Sequence, residues 1–131
     1  MKPEELRIGN FVFDNLGGIL KIKAISEDSD LSHIKGIPLS PEWLTKFGFE
    51  EEQNTSMPYH ENYWSVPVDL DSRLAVSFAD FRKDYGVYVE YTDSPFPEDE
   101  GKKYPISFGI KYVHQFQNLF FSLTGYELKE D

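Results

Sequence analysis

Cysteine is absent from the 131 residues. That absence excludes a disulfide scaffold, a thiolate metal site, and cysteine nucleophiles or redox motifs. A metal would have to rest on three histidines and on carboxylates, and neither a metal nor another cofactor is expected. No run approaches the ~18 apolar residues that a membrane span needs. The first residues, Met1-Lys2-Pro3-Glu4-Glu5, lack an apolar signal core. A cytoplasmic protein without a membrane partner is the expectation. Basic residues are scarce as well: 13 Lys and Arg stand against 23 Asp and Glu, a formal charge of −10. Counterion release needs clustered Lys and Arg, so direct nucleic-acid binding and anionic membrane surfaces are both disfavoured. No Gly-x-Ser-x-Gly elbow and no phosphate-binding glycine loop occurs.

What is present belongs to a globular chain. The composition is 40 % hydrophobic and 16 % aromatic, which argues against disorder. A chain of this size buries about two-thirds of its extended surface, so a single α+β domain over residues 1–131 is expected. The charge is uneven: residues 1–47 hold six basic and seven acidic groups, and residues 48–131 hold seven and sixteen. Acidity therefore belongs to the second part of the chain.

Local patterns place the elements. Phe11-Val12-Phe13 and Ile19 to Ile25 are β-rich runs around Asp14-Asn15-Leu16-Gly17-Gly18, a hairpin signature. In the second run Leu20, Ile22 and Ala24 share one face, expected to be buried, opposite Lys21 and Lys23. Residues His33 to Ile37 offer another short strand. Ser40-Pro41-Glu42 followed by Gly48 spells a two-turn helix, with Ser40 as N-cap, Pro41 in the first turn and Gly48 as the left-handed stop. Leu39 and Leu44 have the spacing of a hydrophobic staple, and Trp43, Leu44 and Phe47 form the apolar stripe. Glu50 to Ser56 reads as a polar loop. Tyr63 to Val68, Leu74 to Phe78, Val87 to Tyr91 and the alternating Ile106, Phe108 and Ile110 then give a meander of about four strands. From Tyr112 the apolar spacing turns helical, through Val113, Phe116, Phe120 and Leu123 to a stop at Gly125.

Few constellations carry chemistry. His60-Glu61 and Asp69-x-Asp71 resemble fragments of a metal or acid/base site, but nothing in their spacing makes them converge. His114, Gln115, Gln117 and Asn118 are an unusual polar group in an apolar helix. At helical spacing His114 shares a face with Gln117 and Asn118, so the group suits hydrogen bonding to a ligand or to a partner's backbone, or tying the helix to neighbouring strands. Glu50 to Glu52 and Glu98, Asp99 and Glu100 are acidic arrays of the kind that imitate a phosphate track. Tyr63/Trp64 and Tyr85/Tyr88/Tyr91 lack accompanying basic residues and suit a core or an interface better than base stacking.

Three stretches together resemble a known group. They are Leu6-Arg7-Ile8-Gly9-Asn10-Phe11-Val12, then Ile37 to Leu44 with Phe47-Gly48-Phe49, then Lys111 to Phe121 closing in Leu123 to Leu128. The resemblance is to a family of small proteins from gut Bacteroidetes and from the phages and mobile elements of those bacteria. It implies a cytoplasmic bacterial or phage protein in an accessory role, and supplies no activity or catalytic residue to carry across.

The expected architecture is therefore α+β: an N-terminal β-hairpin or the start of a small SH3-like barrel, a short capped helix, an antiparallel meander, and a C-terminal helix packed on the sheet. The leading function is a non-enzymatic module that binds a protein partner through the region of the C-terminal helix. One alternative is an acidic nucleic-acid mimic that blocks a basic DNA- or RNA-binding protein through Glu98, Asp99 and Glu100. Another is a small hydrolase or ligand-binding enzyme, which would need a concave site around His60 or His114. Self-association stays open.

Overall fold

A computed structural model describes residues 5–25, 31–53, 62–68, 72–79, 83–91 and 103–129. The chain divides into two compact units, Met1–Leu39 with Lys111–Leu128, and Ser40–Ile110 with Lys129–Asp131. The architecture is α+β. Both sheets are open and antiparallel, and no closed barrel forms among the described residues.

The first unit begins with the hairpin. Strands β1 (Phe11–Phe13) and β2 (Ile19–Lys21) pair across a turn that Asp14 organises. Its carboxylate accepts the N–H groups of Leu16 and Gly18, each at 2.9 Å, an Asx-type arrangement. Strand β3 (Lys35–Gly36) adds to the other side of β1, giving the order β2-β1-β3 with β3 at an edge. The expected buried face of Leu20, Ile22 and Ala24 is a correction: Leu20 and Ala24 are exposed, and Ile22 alone is buried. The ladder changes at that point. Gly9 N–H donates to the Ile22 carbonyl while Ile22 N–H donates to the Asn10 carbonyl, so Gly9 and Asn10 together oppose Ile22, as at a bulge, and of the three Ile22 alone reaches the core. Leu6, Val12, Ile22, Leu31 and Ile34 form the core of this unit. Helix α2 (Val113–Thr124) packs on β1, and its Val113 and Phe116 are fully buried.

The second unit opens with α1 (Pro41–Lys46). Ser40 Oγ accepts the Trp43 N–H at 3.4 Å, and Pro41 occupies the first turn, where its missing N–H has no partner to lose. The helix ends in a Schellman motif: Gly48 N–H donates to the Thr45 carbonyl and Phe49 N–H to that of Leu44. Gly48 sits at φ 85°, a conformation disfavoured for residues with a Cβ.

The meander that follows has five strands, in the order β4-β5-β6-β7-β8. They are β4 (Glu50–Gln53), β5 (Asn62–Pro67), β6 (Ser72–Ala79), β7 (Asp84–Tyr91) and β8 (Lys103–Ile110). The fifth strand is β4, where the sequence suggests a polar loop. Glutamate is a poor strand former, yet at an edge its side chain stays in water and its charge blocks unwanted pairing. Glu50 illustrates this: its side chain is 76 % exposed and lies 3.6 Å from Arg73 on β6. Central β6 is buried on both faces at Leu74, Ala75, Val76 and Ser77, and Ala75 packs with Tyr63 and Tyr88 in one cluster. Tyr63, Trp64, Tyr85 and Tyr88 are all buried.

Candidate functional site

The polar group of α2 separates into two pairs. Gln117 is fully buried. Its Oε1 accepts the Phe11 N–H at 2.9 Å and its Nε2 donates to the Gly9 carbonyl at 3.0 Å. A carboxamide offers one acceptor and donors side by side, which suits two backbone groups of an adjacent extended segment. Asn118 extends the same attachment. Its Oδ1 accepts from Arg7 Nη1 at 3.0 Å and Asn10 Nδ2 at 2.9 Å, and its Nδ2 donates to the Glu5 carbonyl at 3.1 Å. Asn10 Oδ1 in turn accepts the Arg7 N–H at 2.7 Å. Arg7 also pairs with Glu127 and lies 4.1 Å from the centre of the Phe121 ring. These two helix residues thus hold the segment from Glu5 to Phe11 against α2.

His114 and Gln115 occupy the first turn of α2 and serve differently. Gln115 Oε1 accepts the N–H groups of Lys111 at 3.0 Å and Tyr112 at 3.2 Å. This satisfies donors that the helix start leaves over, and it fixes the carboxamide so that its NH₂ faces away from the cap. His114 is 4 % exposed, and its Nδ1 is buried without a hydrogen-bond partner among the described residues. Burial holds its pKa below the ordinary 6.5, with the charge of Glu5 pulling the other way in part. The Tyr112 and His114 rings stack with centres 5.8 Å apart and an interplanar angle of 17°.

Around this pair lies a cleft of about 420 Å³ walled by Glu5, Lys35, Gly36, Tyr112, His114 and Gln115. Every one of these residues belongs to the first unit. The backbone frames it: Val113 N–H donates to the Ile37 carbonyl and Leu39 N–H to that of Lys111, which sets the start of α2 beside the chain leaving β3. Gly36 is needed for the close approach. A Cβ there would lie 2.8 Å from Tyr112 Cδ1 and 3.1 Å from His114 Cε1. The cleft has the size of a small-ligand site.

Of the residues singled out by sequence, the structure brings His114 and Gln115 to this cleft and commits Gln117 and Asn118 to the N-terminal segment. Glu98, Asp99 and Glu100 lie outside the described residues, as do His60, Glu61, Asp69 and Asp71. Among the described residues no group of three His, Asp or Glu could hold a metal ion, and no helix is long and apolar enough to cross a membrane. Sequence reasoning missed Lys35, Gly36 and Tyr112 as cleft residues. The available signal was the glycine after Lys35 in a strand pattern, which marks a close approach. Comparison of the chain with protein-family models, with curated proteins and with solved structures finds no match.

Proposed function

We infer that the chain is a non-enzymatic interaction module that binds a protein partner, in the accessory role that the resemblance to the Bacteroidetes and phage family implies. The observation that carries this reading is the Arg7 guanidinium stacked on Phe121 and paired with Glu127, with exposed apolar residues beside Arg7 and Glu127 in the chain. Ile8 follows Arg7 and is 62 % exposed, Tyr126 precedes Glu127 and is 74 % exposed, and Phe121, under the Arg7 guanidinium, is 39 % exposed. Isolated apolar residues on a surface need no explanation. Arg7 on Phe121, with exposed Ile8 next to Arg7 and exposed Tyr126 next to Glu127 in the chain, offers residue types that dominate binding hot spots. Arg7 is held by Asn118, Glu127 and the Phe121 ring, so little of its rotamer freedom remains to be lost on binding. The complementary partner is a protein with an apolar patch, because the charge of −10 repels nucleic acid.

The test is capture by the tagged chain from bacterial lysate at low and high salt, read by native mass spectrometry. A protein partner should be retained at both salt levels and lost when Ile8→Ser is combined with Tyr126→Ser, while Leu16→Ser in the hairpin turn leaves capture intact. Retention by the double variant, or no retained protein at all, overturns the reading. Capture that high salt abolishes, and that Glu98→Gln with Asp99→Asn and Glu100→Gln removes, would favour the acidic mimic instead.

A further inference from the structure

The cleft at the start of α2 holds groups that nothing described so far uses. Buried polar atoms are nearly always hydrogen-bonded, so His114, a residue of the cleft wall whose buried Nδ1 has no partner among the described residues, calls for one. Gln115 has its oxygen fixed by the Lys111 and Tyr112 N–H groups, which leaves its NH₂ preset and without a protein partner among the described residues. The Lys35 side chain, also on the wall, makes no ion pair or hydrogen bond among the described residues. These donors stand at the N-terminal end of a twelve-residue helix, where the backbone dipole favours a carboxylate. The same wall carries the opposite charge, Glu5, close enough for its field to act on His114. Tyr112, 38 % exposed and stacked on His114, adds a flat apolar side.

We propose that this cleft binds a small zwitterion of the α-amino-acid or dipeptide class, its carboxylate at Lys35, the Gln115 NH₂ and the start of α2, its ammonium at Glu5. A ligand with only negative charge would meet the Glu5 carboxylate and the field of a chain carrying −10. A ligand with only positive charge would leave the Lys35 and Gln115 donors unmatched and oppose the helix dipole. A zwitterion answers both ends and carries no net charge. His114, kept neutral by burial, adds a hydrogen bond without adding a third charge, and the volume of about 420 Å³ admits one or two residues.

Ile8, Phe121 and Tyr126 lie outside this wall, so this proposal and the partner-capture reading stand or fall separately. The test titrates the whole chain with the standard amino acids and with glycyl dipeptides, by calorimetry and by thermal shift. At least one should bind tighter than about 1 mM. Blocking either end of the best ligand, as its N-acetyl derivative or its carboxamide, should weaken binding at least about tenfold. Lys35→Met and Gln115→Glu should each weaken it by a similar factor. Gln115→Glu keeps an oxygen for the cap and places negative charge at a helix start, so its melting temperature should hold and its loss of binding cannot be ascribed to unfolding. The proposal is overturned if no member of the panel binds, if a blocked derivative binds as well as its parent, or if both variants bind unchanged.

Discussion

The N–H of Phe11 on β1 donates at 2.9 Å to the side-chain oxygen of Gln117 on α2, a residue with no exposed surface. The glutamine thereby acts toward the start of β1 as a neighbouring strand would, accepting from one backbone group and donating to the Gly9 carbonyl. Gln117→Leu, close in volume, removes both bonds and leaves the burial unchanged. Each buried polar group that loses its partner costs about 1–3 kcal/mol, so the two together give an expected loss of about 2–6 kcal/mol. Urea denaturation measures it. A loss under about 1 kcal/mol would mean that water or rearranged backbone replaces the glutamine.

Gly36 supplies a steric prediction. Its position in β3 is extended, so the constraint is space and not φ. The Cβ of Gly36→Ala would lie 2.8 Å and 2.9 Å from Cδ1 and Cγ of Tyr112. Cγ lies on the χ2 axis, so a ring flip about χ2 leaves it in place, and Tyr112, whose backbone is held by the isolated bridge to Pro38, must change χ1 to clear the contact. Overpacking of this kind costs about 1–3 kcal/mol. Thermal unfolding should show that loss, and the His114 ring resonances should move as Tyr112 leaves its stack. An unchanged melting temperature with unmoved resonances would refute the close approach.

The elements the sequence made legible are those whose signals are local. Ser40, Pro41 and Gly48 mark α1 because each cap bond spans three to five residues. The end of α2 at Gly125, φ 77°, follows from the same kind of signal. Strand β4 was hidden because its three glutamates are poor strand formers, and only pairing with β5 reveals an edge where Glu50 and Glu51 remain in water. The face of β2 was misplaced because burial there depends on the core that Ile22 reaches, Leu6, Val12, Leu31 and Ile34, which comes from other stretches of chain. The polar group on α2 stood out by composition. Its division was not legible, since the partners of Gln117 and Asn118 lie over a hundred residues upstream and the cleft draws on three separate stretches.

Arg73 and Glu50 separate an ion pair from a buried hydrogen bond. Their charged atoms are 3.6 Å apart, but Glu50 is largely in water, where such pairs contribute about 0–1 kcal/mol. Arg73 Nε also donates to Ser65 Oγ at 3.0 Å, and Ser65 is fully buried. Glu50→Gln should therefore change stability by less than about 0.5 kcal/mol. Arg73→Met should cost about 1–3 kcal/mol, because the buried hydroxyl loses a charged donor. Equal losses from the two variants would show that the ion pair, and not the Ser65 bond, is what Arg73 contributes.

His114 sets a pH dependence whose sign follows from its burial. Its folded pKa is held below the ordinary 6.5 by desolvation, an effect Glu5 offsets in part. When pH falls through about 6.5, the unfolded chain takes up the proton while the folded imidazole does not. Stability is therefore lost from about pH 7 downward and levels off once the folded imidazole is itself protonated; above about pH 7.5 the residue contributes no slope. His114→Gln removes this component, and the exposed His33 is common to both proteins and cancels in the difference. Over the window just below pH 6.5, the stability of the wild type should fall relative to the variant by up to about 1.4 kcal/mol per pH unit. Urea unfolding at closely spaced pH values reads the difference directly. A difference that stays flat, or that grows in favour of the wild type as pH falls, would place the His114 proton in the folded state and contradict its neutral role on the cleft wall.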